Sequence, residues 1–168
     1  MTETNRPKPH TVAASRVKMT ELVLPNDTNI LGNLLGGRLM HWIDIVGAMA
    51  AARHSHLVCV TASVDQLDFL SPVKLGEAVL LEAQVNRVFN TSLEVGVRVF
   101  KENLLSGQRL HANTAFLTFV GLNAEGNPSR MPQVIPETEE ERLEYERALE
   151  RRRIRLERRR KILEEKRT

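Results

Sequence analysis

A single acidic residue inside an otherwise apolar helix is the feature that most limits how this chain can fold. Helical spacing predicts an α-helix from about Leu35 to Arg53. Its buried stripe is expected to contain Leu39, Ile43, Val46 and Ala50. Asp44 lies on the flank of that stripe, about 140° around the helix axis from Leu39. Because an unpaired buried carboxylate is costly, Asp44 either stays on a solvated flank or has a chemical role.

A double glycine, Gly36 and Gly37, stands at the start of this helix. Glycine leaves backbone N–H groups uncovered where the helix N-terminus carries partial positive charge, so these groups can hold an oxyanion. Two amides precede them, Asn29 and Asn33, and either can position a reacting group. Each feature also has a structural interpretation: a turn at Asn29, a helix cap at Asn33 and a plain turn at the glycines. Their conjunction within one short stretch favours chemistry on a carbonyl.

The charge distribution and composition exclude several functional classes. The net charge is +3, and residues 137–168 contain 12 Lys/Arg and 10 Asp/Glu, so the remainder is nearly neutral. Aromatic residues make up only 4%, and no basic stripe is interleaved with stacking side chains, which argues against nucleic-acid binding. The sequence has no run of eighteen apolar residues, so no membrane span is predicted. The polar N-terminal segment lacks the apolar core of a signal peptide. A single cysteine, Cys59, fits a reducing compartment, and we expect a cytoplasmic protein.

Beyond the helix, the sequence predicts β-strands. One strand is expected over residues 15–24, and four more follow the helix over residues 57–70, 78–89, 92–102 and 109–122. In the first of these four, alternation places Val58, Val60, Ala62 and Val64 on one face and Cys59, Thr61, Ser63 and Asp65 on the other. Successive hairpins indicate an antiparallel sheet, and one long helix packed on it makes the fold α+β.

This order of elements resembles the hot-dog fold, in which an antiparallel sheet wraps around one long central helix. More specifically, the chain resembles acyl-CoA thioesterases (acyl-CoA hydrolases) that have one hot-dog domain per chain. The matching residues are Pro25, Asp27, Asn29 and Gly32 ahead of Gly36-Gly37, Met40 with Asp44, TASVDQLDF at 61–69, and Pro72, Val73, Gly76 and Glu77. The resemblance covers roughly residues 15–135. Some relatives have histidine just before the double glycine, where this chain has Leu35, so a polar group near the thioester is missing.

The resemblance implies hydrolysis of acyl-CoA to a free acid and CoA, without a cofactor and with Asn29 and Asp44 at the catalytic positions. Local chemistry agrees, because the N–H groups of Gly36 and Gly37 can polarise the thioester oxygen. Asp44 can serve as general base or as nucleophile, and the sequence leaves both open. The alternative is a non-catalytic acyl-CoA-binding or regulatory protein. A hot-dog dehydratase is disfavoured, because no histidine pairs with a carboxylate at the helix entry.

Geometry predicts a site shared between two chains. About 10 Å of helical rise separates Gly37 from Asp44, and Asn29 lies a further loop away, so one thioester cannot easily reach both in one chain. Two protomers with antiparallel helices would bring Asn29 of one near Asp44 of its partner, so we expect at least a dimer. The resemblance suggests a trimer of dimers, a homohexamer. For the phosphates of CoA we expect donors near strand ends, namely Arg87, Thr91, Ser92 and Arg130.

The two ends of the chain are expected to lie outside the domain. Residues 1–14 are predicted to be disordered. Thr138 and Glu141 form a capping box that starts a charged C-terminal helix in the region 136–168. Leu149, Leu156 and Leu163 recur every seven residues, but arginines occupy the positions that a dimer seam would need. We therefore expect a helix that lies along a neighbouring protomer or projects into solvent, with coiled coil and RNA contact as lesser alternatives.

The remaining candidates are interpreted as structural. His54 and His56 have no Cys, Asp or Glu at ligand spacing, so no metal site is expected and a solvated loop is favoured for both. Cys59 lies in a β-strand without an activating partner and is interpreted as a small core residue. Asp65 and Asp68 are interpreted as hydrogen-bond acceptors at the sheet or at an interface.

Overall fold

A computed structural model of the chain describes residues 7–68 and 71–165. The helices are α1 (Val12–Ser15), α2 (Gly36–Ser55) and α3 (Glu139–Glu165). The strands are β1 (His10–Thr11), β2 (Val17–Leu22), β3 (Val58–Val64), β4 (Ala78–Val88), β5 (Ser92–Glu102), β6 (Arg109–Leu122) and β7 (Val134–Ile135). Five strands form an antiparallel sheet in the order β2-β4-β5-β6-β3, and β1 pairs with β7 in a short parallel sheet.

Helix α2 packs against one face of the five-stranded sheet and contacts all five of its strands. The predicted stripe is confirmed, since Leu39, Ile43, Val46 and Ala50 are all buried. Gly47 allows close packing, because a Cβ added there would lie 3.2 Å from the ring of Phe119 on β6. The α+β hot-dog architecture expected from the sequence is therefore confirmed. No helix within the described ranges is long and apolar enough to cross a membrane.

Strand β3 departs from the predicted alternation because it contains a bulge. Thr61 pairs with Phe119, whereas Ser63 pairs with Thr118, and the register shifts between them. Phe119 and Thr118 are adjacent on β6 and point to opposite faces, so Thr61 faces α2 while Ser63 lies on the outer face. The prediction of one continuous alternation from 57 to 70 was wrong at this point. The strand ends at Val64, and residues 69 and 70 lie outside the described residues.

The N-terminal segment is ordered where we expected disorder. Thr11 caps the short helix α1 by accepting a hydrogen bond from the Ala14 N–H. Val12 is buried, and the hydroxyl of Ser15, also buried, accepts a hydrogen bond from the Val85 N–H on β4. These contacts attach the segment to the domain. Residues 1–6 of the predicted disordered stretch lie outside the described residues.

Helix α3 lies on the outer face of its own sheet. The capping box is confirmed, since the Glu141 N–H donates to Thr138 Oγ1 and the Thr138 N–H donates to the Glu141 carboxylate. Arg151 and Arg155 both donate to Glu94 on β5, a carboxylate with 0% exposure. The expectation of a helix along a neighbour or in solvent was therefore wrong for the part up to Arg155. Residues 156–165 are exposed.

Three guanidinium groups reinforce this packing by stacking on aromatic rings. Arg87 of β4 lies over Tyr145, Arg151 lies over Phe116, and Arg152 lies over Phe89, with centroid distances of 3.9, 3.7 and 4.1 Å. Arginine suits this role because its planar cation pairs with carboxylates through its edge and with rings through its face. Arg151, Arg152 and Arg155 of the arginine-rich helix thus pack on the sheet.

His54 is a buried residue of α2, so the prediction of a solvated loop was wrong for this residue. Its Nε2–H donates to the Pro132 carbonyl at 2.9 Å, and its own carbonyl accepts from His10 Nδ1 at 2.9 Å. Burial lowers the pKa of His54, with smaller contributions of the same sign from His10 and His56. The described residues contain no group of three or more His, Cys, Asp or Glu placed to bind a metal ion.

The substitution Glu94→Ala should lower the free energy of unfolding by about 3 kcal/mol, because Arg151 and Arg155 lose their shared buried carboxylate. Urea unfolding at a fixed protein concentration measures this change. Glu150→Ala is the matched control, since it removes a carboxylate from an exposed pair with Arg153. Equal losses in the two variants would contradict the structural role of Glu94.

Stability should also fall on acidification because of His54. In the unfolded chain this side chain takes up a proton near its ordinary pKa of 6.5, whereas the folded chain resists protonation to lower pH. The unfolded state then binds more protons, so the free energy of unfolding decreases as the pH falls below 6.5. His54→Gln should weaken this dependence between pH 7 and about pH 5. The same pH dependence in both proteins would exclude His54 as its source.

Candidate active site

Asp44 and Thr61 form a hydrogen-bonded pair between α2 and β3. The Thr61 hydroxyl donates to Asp44 Oδ1 at 2.6 Å, a short distance typical of a hydroxyl bound to a carboxylate. Asp44 is half-buried and Thr61 is exposed in the single chain. In the described part of the molecule, Asp44 Oδ2 has no hydrogen-bond partner. This oxygen is free to take a proton from water or to attack a carbonyl carbon.

Sequence reasoning did not single out Thr61 as a functional residue. The signal that identifies it was available, because alternation placed Thr61 on the face opposite Val58 and Val60. The sequence pattern does not predict that this face packs against the polar flank of α2. The bulge directly after Thr61 ends this regular part of the strand.

Asn29 organises the loop that leads into α2. Its side-chain Oδ1 accepts hydrogen bonds from the N–H groups of Leu31 and Asn33, at 3.0 and 3.2 Å. The backbone of Asn29 also pairs with Gly32 and Asn33. The structural interpretation of Asn29 is thus correct for its carbonyl oxygen, while its side-chain NH₂ has no partner among residues 7–68 and 71–165. That group remains a donor for a ligand or for a second chain.

The double glycine forms the first turn of α2. Gly36 and Gly37 are helical, so the interpretation as a plain turn was wrong. Helix capping by Asn33 was also wrong, because the N-cap position is Leu35 and its side chain makes no capping hydrogen bond. In the described chain, the N–H groups of both glycines have no acceptor. A Cβ added at Gly37 would meet nothing within 4 Å, so the space beside this residue is open.

An ion pair with a buried carboxylate fixes this loop to the helix. Asp27 is 7% exposed, accepts from the Leu24 N–H at 3.1 Å, and binds Arg38 Nε at 2.9 Å. Since Arg38 lies in the first turn of α2, this pair sets the position of the intervening residues, including Asn29 and the glycines. Asp27 belonged to the sequence pattern, but its role is structural.

The predicted CoA-binding residues gather around the turn between β4 and β5. Arg87 donates to the Tyr145 carbonyl, and the Ser92 hydroxyl accepts from Arg152, so both are engaged by α3. The carbonyl of Thr91 accepts from the Gly121 N–H. Arg130 is exposed and has no partner within the described ranges. No contact joins these four residues to Asp44, and their role with CoA stays a prediction.

Two other candidates have the structural roles expected of them. Burial raises the pKa of the Cys59 thiol, so it stays protonated at neutral pH and is a poor nucleophile. Asp65 accepts a hydrogen bond from Arg155 at 2.7 Å on the outer face of the sheet.

The surface around both groups of residues is apolar and uncovered in the single chain. Ile30 and Leu31 are exposed in the loop beside Asn29, and Met40, Ile45 and Met49 are exposed on α2. Exposed apolar side chains next to polar groups are typical of a surface that another chain covers. This surface fits the prediction that Asn29 and Asp44 act together across a protomer interface.

Comparisons with known proteins agree with this geometry. The model of the thioesterase superfamily matches residues 31–107. The chain is 46% identical over 137 residues to a Bacillus subtilis protein named "Uncharacterized acyl-CoA thioester hydrolase YkhA". The aligned region covers 82% of this chain and 80% of that protein. The structure superposes on that of an apo-hexameric acyl-CoA thioesterase with a TM-score of 0.87 and 43% identity, covering 90% of this chain and 97% of that one.

An acyl-CoA hydrolase from Staphylococcus aureus, solved with butyryl-CoA, CoA and CoA disulfide, superposes with a TM-score of 0.85 and 34% identity. The match covers 92% of this chain and 96% of that one. Alanine variants of the S. aureus enzyme have also been solved, at an aspartate, a threonine and an asparagine. The residue numbers in that enzyme are each one lower than those of Asp44, Thr61 and Asn29 here. The chain belongs to the hot-dog acyl-CoA thioesterase (acyl-CoA hydrolase) family, as its sequence pattern predicted.

Proposed function

We propose that the protein hydrolyses acyl-CoA thioesters at a site formed by Asp44 and Thr61 of one protomer with Asn29 and the Gly36–Gly37 N–H groups of its partner. The hydrogen bond between Thr61 and Asp44 is the observation that carries this proposal. It orients one oxygen of the carboxylate and leaves the other available to the reactants. The alanine variants made in the S. aureus enzyme involve the same three residue types, which supports this assignment.

The first step is the attack of water on the thioester carbon. Asp44 Oδ2 takes one proton from the water while the water oxygen bonds to the thioester carbon. The π electrons of the carbonyl move onto the carbonyl oxygen. The resulting oxyanion is stabilised by the free N–H groups at the start of α2, where the helix dipole adds positive potential. Collapse of this intermediate breaks the C–S bond, and the CoA sulfur receives the proton from Asp44. Water and a carboxylate suffice for this sequence, so we propose no cofactor.

Asp44 can also act as the nucleophile. Its Oδ2 would then bond directly to the thioester carbon and expel the CoA thiolate, leaving an anhydride that water hydrolyses. The oxyanion and the Thr61 hydrogen bond serve both routes equally. Hydrolysis of a single turnover in ¹⁸O water distinguishes them, because only the nucleophilic route can place the label in the Asp44 carboxylate.

Asn29 is assigned the positioning of the thioester. Its carbonyl oxygen is occupied within the loop, so the NH₂ group is the part that faces a reactant. An amide donor near the thioester carbonyl holds it for attack without competing as a base. For the CoA phosphates we propose the β4–β5 turn, with Arg130 and Thr91 as accessible groups and with Arg87 and Ser92 beside them. The assembly we propose is a trimer of dimers, in a cytoplasmic setting that suits the free thiol of Cys59.

Asp44→Asn should lower kcat about a thousandfold, because an amide cannot accept the proton from water. Thr61→Val should lower kcat at least about tenfold, since it removes only the hydroxyl that orients the carboxylate. Release of free thiol from acyl-CoAs of several chain lengths measures both. Thr118→Val is the matched control, because Thr118 faces away from α2 and its hydroxyl has no partner within the described residues. Full turnover by folded Asp44→Asn would contradict the catalytic role of Asp44, whereas binding of acyl-CoA without thiol release by the native chain would favour the non-catalytic alternative.

A mixing experiment tests whether two chains share each site. Asn29→Ala and Asp44→Asn are each expected to be inactive alone, yet a mixed dimer has one intact site that combines Asn29 of one protomer with Asp44 of its partner. Random co-assembly places about half of the protein in mixed dimers, so about one quarter of the native activity should return. Co-expressed variants with two different affinity tags provide the measurement. No recovery from purified mixed dimers would show that each site lies within one chain.

A further inference from the structure

Arg155 connects the C-terminal helix to two strands of the sheet. Its Nη1 donates to Asp65 Oδ2 at 2.7 Å, just beyond the end of β3, and both terminal nitrogens donate to Glu94 Oε2 of β5 at 3.1 Å. Strand β6 lies between β3 and β5, so the guanidinium spans three strands on the outer face. Arg155, Asp65 and Glu94 are 15%, 20% and 0% exposed, so water screens these contacts weakly.

The connection reaches β3 where that strand is least constrained. Within one chain β3 is an edge strand, paired only with β6, and its register shifts between Thr61 and Ser63. A bulge bends its strand and leaves one residue outside the ladder. Beyond the bulge, Ser63 and Val64 pair with Thr118 and Leu117, and the Asp65 N–H continues this pairing to the Phe116 carbonyl at 3.0 Å. Arg155 therefore holds the chain at the end of β3, shortly after the bulge and on the face opposite Thr61.

The position of Thr61 depends on this part of β3. Its hydroxyl reaches Asp44 Oδ1 at 2.6 Å from a strand that no neighbour in the same chain supports on its outer edge. Hydrogen bonds weaken steeply when the donor moves by about 1 Å, and reactions at such sites lose rate in proportion. A contact that fixes β3 beyond the bulge also fixes the distance between Thr61 and Asp44.

We infer that Arg155 is a positioning residue for catalysis, which acts through Asp65 and β3 to hold Thr61 against Asp44. The C-terminal helix is accordingly a working part of the catalytic domain. This inference rests on the proposed function, because it requires that the Thr61 hydroxyl contributes to turnover. It assigns Arg155 no contact with substrate.

The test compares two arginines on the same helix. Arg155→Met should lower kcat for acyl-CoA about fivefold and change KM less than about twofold, because the binding surfaces are untouched. Arg151→Met is the matched control: Arg151 binds the same buried Glu94 at 2.7 Å but makes no hydrogen bond to β3 or Asp65. It should lower the thermal midpoint while leaving kcat within about twofold of the native value.

Asp65→Ala provides a second route to the same result. It removes the link to β3 while both arginines continue to pair with Glu94, so the helix stays docked. Its kcat should fall to the same extent as that of Arg155→Met, and this variant decides the outcome if Arg155→Met folds poorly.

A double-mutant cycle shows whether the effect passes through Thr61. In a Thr61→Val background, Asp65→Ala should lower kcat by less than about twofold, because the hydroxyl it positions is already absent. Multiplicative losses would overturn the inference, as would a native kcat for Asp65→Ala or an equal fall for Arg151→Met. Full activity of Thr61→Val itself would overturn the proposed function instead, so the two failures are distinguishable.

Discussion

The packing of α2 against one face of the sheet determines where every other group of the site lies. Leu39, Ile43, Val46 and Ala50 bury one side of the helix, and this fixes its rotation about its own axis. Asp44 then has to sit at the margin between core and solvent, within reach of β3. A carboxylate in that position reaches the Thr61 hydroxyl with one oxygen and leaves the other open. Full burial would add a desolvation cost, and full exposure would separate the carboxylate from β3.

The same rotation leaves Met40, Ile45 and Met49 without cover in one chain. These side chains explain why the polar groups at the helix N-terminus and those near its middle do not need to meet within one protomer. Two helices that bury such surfaces against each other would bring opposite ends together. In the proposed dimer, the free energy gained by removing apolar surface from water would also form the cleft between these polar groups.

The spacing of the apolar residues predicted most of the fold. The helix, the long strands and their order follow from spacings that a single sequence displays, and the thioesterase family followed from the pattern around Asn29, Gly36, Gly37 and Asp44. The bulge in β3 could not be predicted, because the sequence pattern does not show where the side-chain alternation shifts by one residue. Thr61 therefore seemed one polar residue among several. The alternation of a strand does not predict which residue contacts the side of a helix, since that depends on contacts between residues distant in sequence.

The C-terminal helix was misjudged for a related reason. Its arginines, which occupy the positions that a dimer seam would need, suggested a helix along a neighbour or in solvent. Arg151 and Arg155 instead pair with Glu94, about sixty residues earlier. One clue was present, because Glu94 is an acid that lies between the apolar residues Leu93 and Val95 of β5. Its burial carries a consequence for the order of events during synthesis. A nascent chain that has completed β6 at Leu122 still lacks both cations, so Glu94 has neither ion-pair partner until Arg151 and Arg155 leave the ribosome.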